Sequence, residues 1–125
     1  MIVGTGVDIC EVHRMRAAIE RHGQHILTRV FTEREIAYSE RKANKYERYA
    51  ARFAAKEAGM KALGTGWRGG LGWRDLEVRN LPSGRPTLAF HGKGAEIAEK
   101  LGVRSIALSI THTAEQAMAM VILES

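Results

Sequence analysis

Three side chains have the types and spacing to do chemistry together: Asp8, Glu57 and Lys61. Glu57 lies in the stretch "RFAAKEAGMKALG", residues 52–64. On a helix turning about 100° per residue, Tyr46, Ala50, Phe53 and Met60 mark an apolar arc, with Glu57 at its centre and Lys61 one turn on at its margin. An ionised carboxylate on a buried stripe calls for a charged partner or a metal. One reading is local: Glu57 and Lys61 have the spacing of an intrahelical ion pair. The other is functional. If the strand carrying Asp8 packs on this stripe, two carboxylates converge beside a lysine. Two hard oxygen donors with few other protein ligands suit Mg²⁺, which keeps several waters and fills its shell from substrate phosphates. A structural zinc site would want cysteines or several histidines.

Further candidates lie elsewhere. Arg14 and Arg21, seven apart with Ala17 and Ala18 between them, form an accessible basic stripe; the plainer alternative is a solvated face in which Arg16 pairs with Glu20. Arg85, between Gly84 and Pro86, is presented at a turn tip, either to a phosphate or to solvent. His112 ends the apolar face of a strand, where a hydrogen-bonded boundary residue and a catalytic one look alike, and no second histidine stands at metal-ligand spacing. The stretch "GTGWRGGLGW" follows a helix and has no Lys-Ser/Thr, so it is not a P-loop. It reads as an ordinary glycine loop or as a bare wall admitting a phosphorylated ligand, with Lys61 at its root.

These residues need a frame. "IVGTGVDIC" alternates, setting Val3, Thr5, Val7 and Ile9 on one strand face and Gly4, Gly6 and Asp8 on the other. The glycine face lets another segment or a ligand approach closely, and Asp8 projects from it or caps the next helix. "EVHRMRAAIERHG" predicts a helix with Val12, Met15 and Ile19 inward and Gly23 as its stop. "TEREIAYSER" predicts a short one capped by Thr32, with Glu35 in capping-box spacing. The long helix runs from near Asn44 to Leu63–Gly64, and Gly59 inside it has no local explanation. Strands over "DLEVRN" and "TLAFH" flank the turn "LPSGRP"; residues 93–101 form a short helix. "RSIALSITH" and "QAMAMVIL" make a hairpin around Thr113–Ala114–Glu115, with Ile106, Leu108, Ile110 and His112 on one face. The order predicts an α+β fold: a single domain over residues 1–125, with a largely antiparallel sheet packed on a long central helix.

Composition narrows the class. The 125 residues are 45% hydrophobic and 26% charged, which argues for a folded protein. One cysteine, Cys10, permits no internal disulfide and fits a reducing compartment. The opening residues do not resemble a signal peptide and no run is long enough to span a bilayer, so a cytoplasmic location without a membrane partner is expected. The net charge of +5 lies mainly in residues 1–61, with 12 Lys/Arg against 8 Asp/Glu. Such a surface suits an acidic protein, an anionic small molecule or nucleic acid. No basic, aromatic-rich sheet signature for RNA is present, so nucleic acid is not an expected partner.

Four stretches, "GTGVDICEVHRM", "RFAAKEAGMKALGTG", "SGRPTL" and "SITHTAEQAMAMV", occur in order across residues 4–121. In them the chain resembles the holo-acyl-carrier-protein synthases, bacterial phosphopantetheinyl transferases of fatty-acid synthesis. The resemblance implies transfer of the phosphopantetheine arm of coenzyme A to a serine of apo-acyl-carrier protein, releasing adenosine 3′,5′-bisphosphate. It implies that Asp8 and Glu57 bind Mg²⁺ and that Lys61 faces the attacked phosphate. Arg52, Lys61, Gly64, Ser83, Gly84, Arg85, Pro86, His112 and Thr113 would contact coenzyme A, while Arg14 and Arg21 would meet the acidic carrier. It also implies a homotrimer with sites between subunits. Glu57 is the candidate base for the serine proton, although a metal-bound carboxylate is a poor base. The competing reading is a non-enzymatic basic module binding an acidic protein through Arg14 and Arg21.

Overall fold

The computed structural model describes residues 1–64 and 70–125. Strand β1 (Ile2–Glu11) leads into helices α1 (Val12–His22), α2 (Gln24–Val30), α3 (Glu33–Glu40) and α4 (Lys45–Leu63). A 3-10 turn at Trp73–Asp75 precedes β2 (Leu76–Asn80) and β3 (Pro86–Phe90), then α5 (Gly92–Leu101), β4 (Ser105–His112) and β5 (Gln116–Glu124). The strands form two antiparallel sheets, β1-β5-β4 and β2-β3, around α4. The α+β expectation therefore holds, with the antiparallel pairing divided between two sheets.

The larger sheet meets α4 through its smallest residues. A Cβ on Gly4 would lie 2.0 Å from the Ala62 carbonyl oxygen, and one on Gly6 would lie 1.9 Å from that of Ala58. Only glycine admits so close a backbone. The face of β1 toward the helix is thus the bare one, while Val7 and Ile9 point outward at 55% and 50% exposure. In register with them on β5, Met120 and Met118 are also exposed. Ile106, Leu108 and Ile110 share the inward face of β4 with His112, opposite the buried Ala119 and Val121 of β5.

Helix α4 differs from the single arc its sequence suggests. Tyr49, Ala50, Ala54, Ala55 and Ala58 are fully buried, whereas Tyr46, Phe53 and Glu57 are half-buried. Surrounded on most sides, this helix buries alanines around a wide arc, and Glu57 falls at the margin of the core instead of its centre. The fully buried charge is its neighbour Lys56, whose Nζ donates to Glu35 Oε1 at 2.7 Å and to the Val30 carbonyl at 2.6 Å. Gly59 has its reason here too: a Cβ would stand 2.6 Å from Leu76 Cδ2 and 2.9 Å from Leu88 Cδ1, so its absence seats the β2-β3 hairpin.

The capping box forms as expected, with Glu35 N donating to Thr32 Oγ1 and Thr32 N to Glu35 Oε1. Glu35 then accepts from Val78 N at 2.7 Å, tying α3 to β2 as well as to α4. Gly23 ends α1 with φ of 55°, but the chain re-enters a helix at once, and α2 is an element the sequence reading missed.

Candidate active site

Because Gly6 lets β1 lie on the backbone of α4, Asp8 arrives next to the Glu57 and Lys61 turns. Lys61 Nζ donates to Asp8 Oδ1 at 2.9 Å and to the Val7 carbonyl at 3.1 Å. The ion pair expected within the helix is thereby replaced by one between helix and strand. Asp8 and Glu57 line one cavity of about 480 Å³ with Cys10, Glu11, Arg14 and the apolar Met15, Ile26 and Phe53.

The electrostatics of this cavity are those of crowded negative charge. Burial first, then the Asp8 carboxylate, raises the Glu57 pKa above its ordinary value, against the opposing pull of Lys61. Burial, followed by Asp8 and Glu57, pushes the Cys10 thiol up to about 11. The hydrogen bond that Lys61 donates to Asp8 likewise holds the lysine pKa above its usual value, here favouring the charged form. A carboxylate whose ionisation is disfavoured by burial and a neighbouring negative charge is stabilised in its charged form by a cation. Among the described residues no group of three or more His, Cys, Asp or Glu could hold a metal. The donor set is thus two carboxylates with open space beside them, which fits Mg²⁺ and does not fit a closed protein cage.

The remaining predicted residues lie in other places. Arg14 and Arg21 are exposed on α1; Arg14 rims the same cavity, and Arg16 pairs with Glu20 at 3.3 Å as the plainer alternative foresaw. Arg52 is buried, its guanidinium 3.7 Å from the Tyr38 ring centroid. Ser83, Gly84 and Arg85 are exposed in the β2-β3 turn, where Gly84 has φ of 90° and its N donates to the Leu81 carbonyl. Arg85 and Pro86 line a second cavity of about 300 Å³ with Leu108, Ile110, Met120 and Ile122. His112 Nδ1 sits 3.0 Å from Glu47 Oε1, and Thr113 Oγ1 accepts from the backbone N of Glu115 and Gln116. Gly64 closes α4 in the left-handed region, with φ of 81°. Most of the predicted glycine loop, residues 65–69, lies outside the described residues.

None of Arg52, Arg85, His112 or Thr113 lines the cavity of Asp8 and Glu57. One chain therefore brings together two carboxylates and a lysine, while the remaining candidate cations and turn residues stand elsewhere, each in its own contacts.

A 4′-phosphopantetheinyl transferase family model, ACPS, matches residues 4–121. A holo-[acyl-carrier-protein] synthase of Solibacter usitatus is 66% identical over 125 residues, covering 100% of both chains. The chain belongs to the 4′-phosphopantetheinyl transferase superfamily. Among solved structures, the holo-[acyl-carrier-protein] synthase of Neisseria meningitidis superposes with a TM-score of 0.90 at 30% identity over 100% of both chains. That of Bacillus anthracis, in complex with CoA (3′,5′-ADP), gives 0.81 at 36% identity, covering 100% of this chain and 98% of its own.

For a phosphopantetheinyl transferase the chemistry takes place at phosphorus, where negative charge must be neutralised and reactants aligned. Sequence reading found the carboxylates and Lys61 but passed over Lys56, which pairs with Glu35, and Asn80 and Tyr38, which hold Arg52. Lys56 did carry a signal: it stands seven residues from both Tyr49 and Leu63, on a buried row of the helix.

Proposed function

We infer that this chain transfers the 4′-phosphopantetheine arm of coenzyme A to a serine hydroxyl of apo-acyl-carrier protein, giving the holo carrier and adenosine 3′,5′-bisphosphate. The observation that carries the reading is the cavity that Asp8 and Glu57 share, with Lys61 bonded to Asp8, in a chain whose full-length relatives are named for this activity. The serine oxygen forms a bond to phosphorus, the bond from that phosphorus to the bisphosphate leaving group breaks, and the serine proton passes to a base. Asp8 and Glu57 are the residues that would hold Mg²⁺. When bound, the ion supplies neutralisation of pyrophosphate charge. Lys61, exposed beside Asp8, places a second positive charge where phosphate oxygens gather. Glu57, with its raised pKa, is suited to receive the proton whenever it is not committed to the metal.

The whole chain would act as one transferase domain. The exposed Val7, Ile9, Met118 and Met120 face supports self-association into a homotrimer, since an apolar patch of this kind suits a protein contact. In such an assembly the Arg52–Arg85–His112 group of one copy would bind coenzyme A beside the carboxylates of the next. Arg14 and Arg21 on exposed α1 suit the acidic carrier. No helix among the described residues is long and apolar enough to cross a membrane, which accords with a cytoplasmic enzyme.

The test is mass spectrometry of apo carrier mixed with this protein, coenzyme A and Mg²⁺. The carrier gains the phosphopantetheine mass, and Asp8→Ala or Glu57→Ala abolishes the gain while the fold is kept. No gain at saturating substrates refutes the activity, and full activity in either variant refutes that residue's metal role. Loss of carrier binding on reversing Arg14 and Arg21, with no transfer in any variant, is the pattern a simple basic binding module gives.

A further inference from the structure

Helix α4 buries two cations, and they are treated oppositely. Lys56, with no exposed surface, has the Glu35 carboxylate at 2.7 Å. Arg52, at 4% exposure, makes no ion pair with any carboxylate among the described residues. Its Nε has no hydrogen-bond partner there either. Among the described residues its side chain is in direct contact with neutral groups: the Tyr38 ring at 3.7 Å and Asn80 Oδ1, which accepts from the guanidinium at 2.8 Å. Burial pulls the Arg52 pKa down, with Tyr38 and Glu35 opposing. An unpaired charge taken out of water is heavily penalised, and the residue beside it is an amide where the isosteric acid would relieve that penalty.

Asn80 does a second thing. Its Nδ2 donates to the Gly84 carbonyl at 3.1 Å, fixing the turn that ends in the exposed Arg85. One amide thus connects a buried, uncompensated guanidinium to the turn that offers an exposed one.

We propose that Asn80 is a positioning residue that keeps Arg52 deliberately uncompensated and couples it to the Gly84–Arg85 turn, so that the combined positive field serves a phosphate-bearing ligand at that turn. Contact between Arg52 and the ligand is not required, because a charge inside the protein is screened less than one in water and acts over several ångströms. Glu or Asp at this position would stabilise the fold and weaken the ligand. This rests on the transferase reading, with coenzyme A as the ligand.

The test compares Asn80→Asp and Asn80→Ala by calorimetric titration with coenzyme A, by thermal melting, and by steady-state KM. Asn80→Asp keeps the acceptor for Arg52 and cancels its charge, at the loss of the longer Nδ2 bond to the Gly84 carbonyl, which the new ion pair outweighs. It raises the melting temperature by about 3 °C and weakens coenzyme A binding by about tenfold. The KM for coenzyme A rises with it, while that for the carrier does not. Asn80→Ala weakens coenzyme A as well but lowers the melting temperature. A residue that merely stabilises the turn gives changes of stability and affinity in the same direction for both variants. Lower melting in Asn80→Asp, or unchanged coenzyme A affinity, overturns the proposal. If the wild type itself binds no coenzyme A, the transferase reading fails instead, and the melting shift still decides whether Arg52 is uncompensated.

Discussion

Replacing Gly6 by alanine tests whether the spacing of Asp8 and Glu57 is set by backbone contact. The added Cβ would meet the Ala58 carbonyl oxygen at 1.9 Å, its carbon at 2.9 Å and the Ala62 nitrogen at 2.9 Å, all main-chain atoms with no rotamer to turn aside. Relief requires β1 to back away from α4 by roughly 1 Å, a forced overpacking that costs about 1–3 kcal/mol and often more when backbone is the obstacle. Asp8 lies two residues along the same face and moves with the strand, drawing away from Glu57 and stretching the 2.9 Å contact to Lys61. A displacement of about 1 Å in catalytic geometry can cost on the order of a hundredfold in rate. Urea denaturation and the carrier mass-shift assay should therefore both register the change, and the Mg²⁺ concentration for half-maximal activity should rise. Gly102→Ala, just after α5 and away from the site, is the control, since a Cβ there meets nothing within 4 Å and its φ of 76° is the only obstacle. Wild-type stability with wild-type activity in Gly6→Ala would refute the reasoning.

Two other outcomes follow from the polar core. Lys56→Met leaves the fully buried Glu35 without its counter-charge, at a cost of about 3–5 kcal/mol measured by denaturant unfolding; a loss below about 1 kcal/mol contradicts that account. Glu77 is 6% exposed; burial pushes its pKa up, but hydrogen bonds from Thr32, Arg79 and His91 outweigh this and hold the carboxyl at about 2. A folded-state pKa below the ordinary value of 4.5 stabilises above that value and stops doing so as pH falls toward about 2. Stability profiles between pH 5 and 2 should thus be flatter for Glu77→Gln than for wild type, by on the order of 3 kcal/mol across the window. Parallel profiles would remove Glu77 from the acid response.

How legible this was depended on how local each signal is. The Thr32–Glu35 capping box, the terminal hairpin and the glycine face of β1 are short-range patterns, and each appears where its spacing put it. Asp8 and Lys61 were found because strand alternation and helix periodicity both pointed into one place. The role of Glu57 in the core was misjudged: a periodicity argument assumes one apolar face, and α4 is enclosed on nearly all sides. The same enclosure explains Gly59, which only the leucines of a hairpin arriving from residues 76 and 88 account for. Asn80 was silent because its significance lies in a contact 28 residues away, with nothing in its neighbourhood to mark it.

The alanines of α4 carry one more consequence. Ala50, Ala54, Ala55, Ala58 and Ala62 occupy the centre of the fold, and alanine forfeits essentially no rotamer entropy on burial. The alanine-lined part of α4 against the sheet is therefore ordered with little loss of side-chain freedom. The platform beneath the carboxylates should soften only when helix and strand separate, so warming would leave its geometry largely intact until the fold itself gives way.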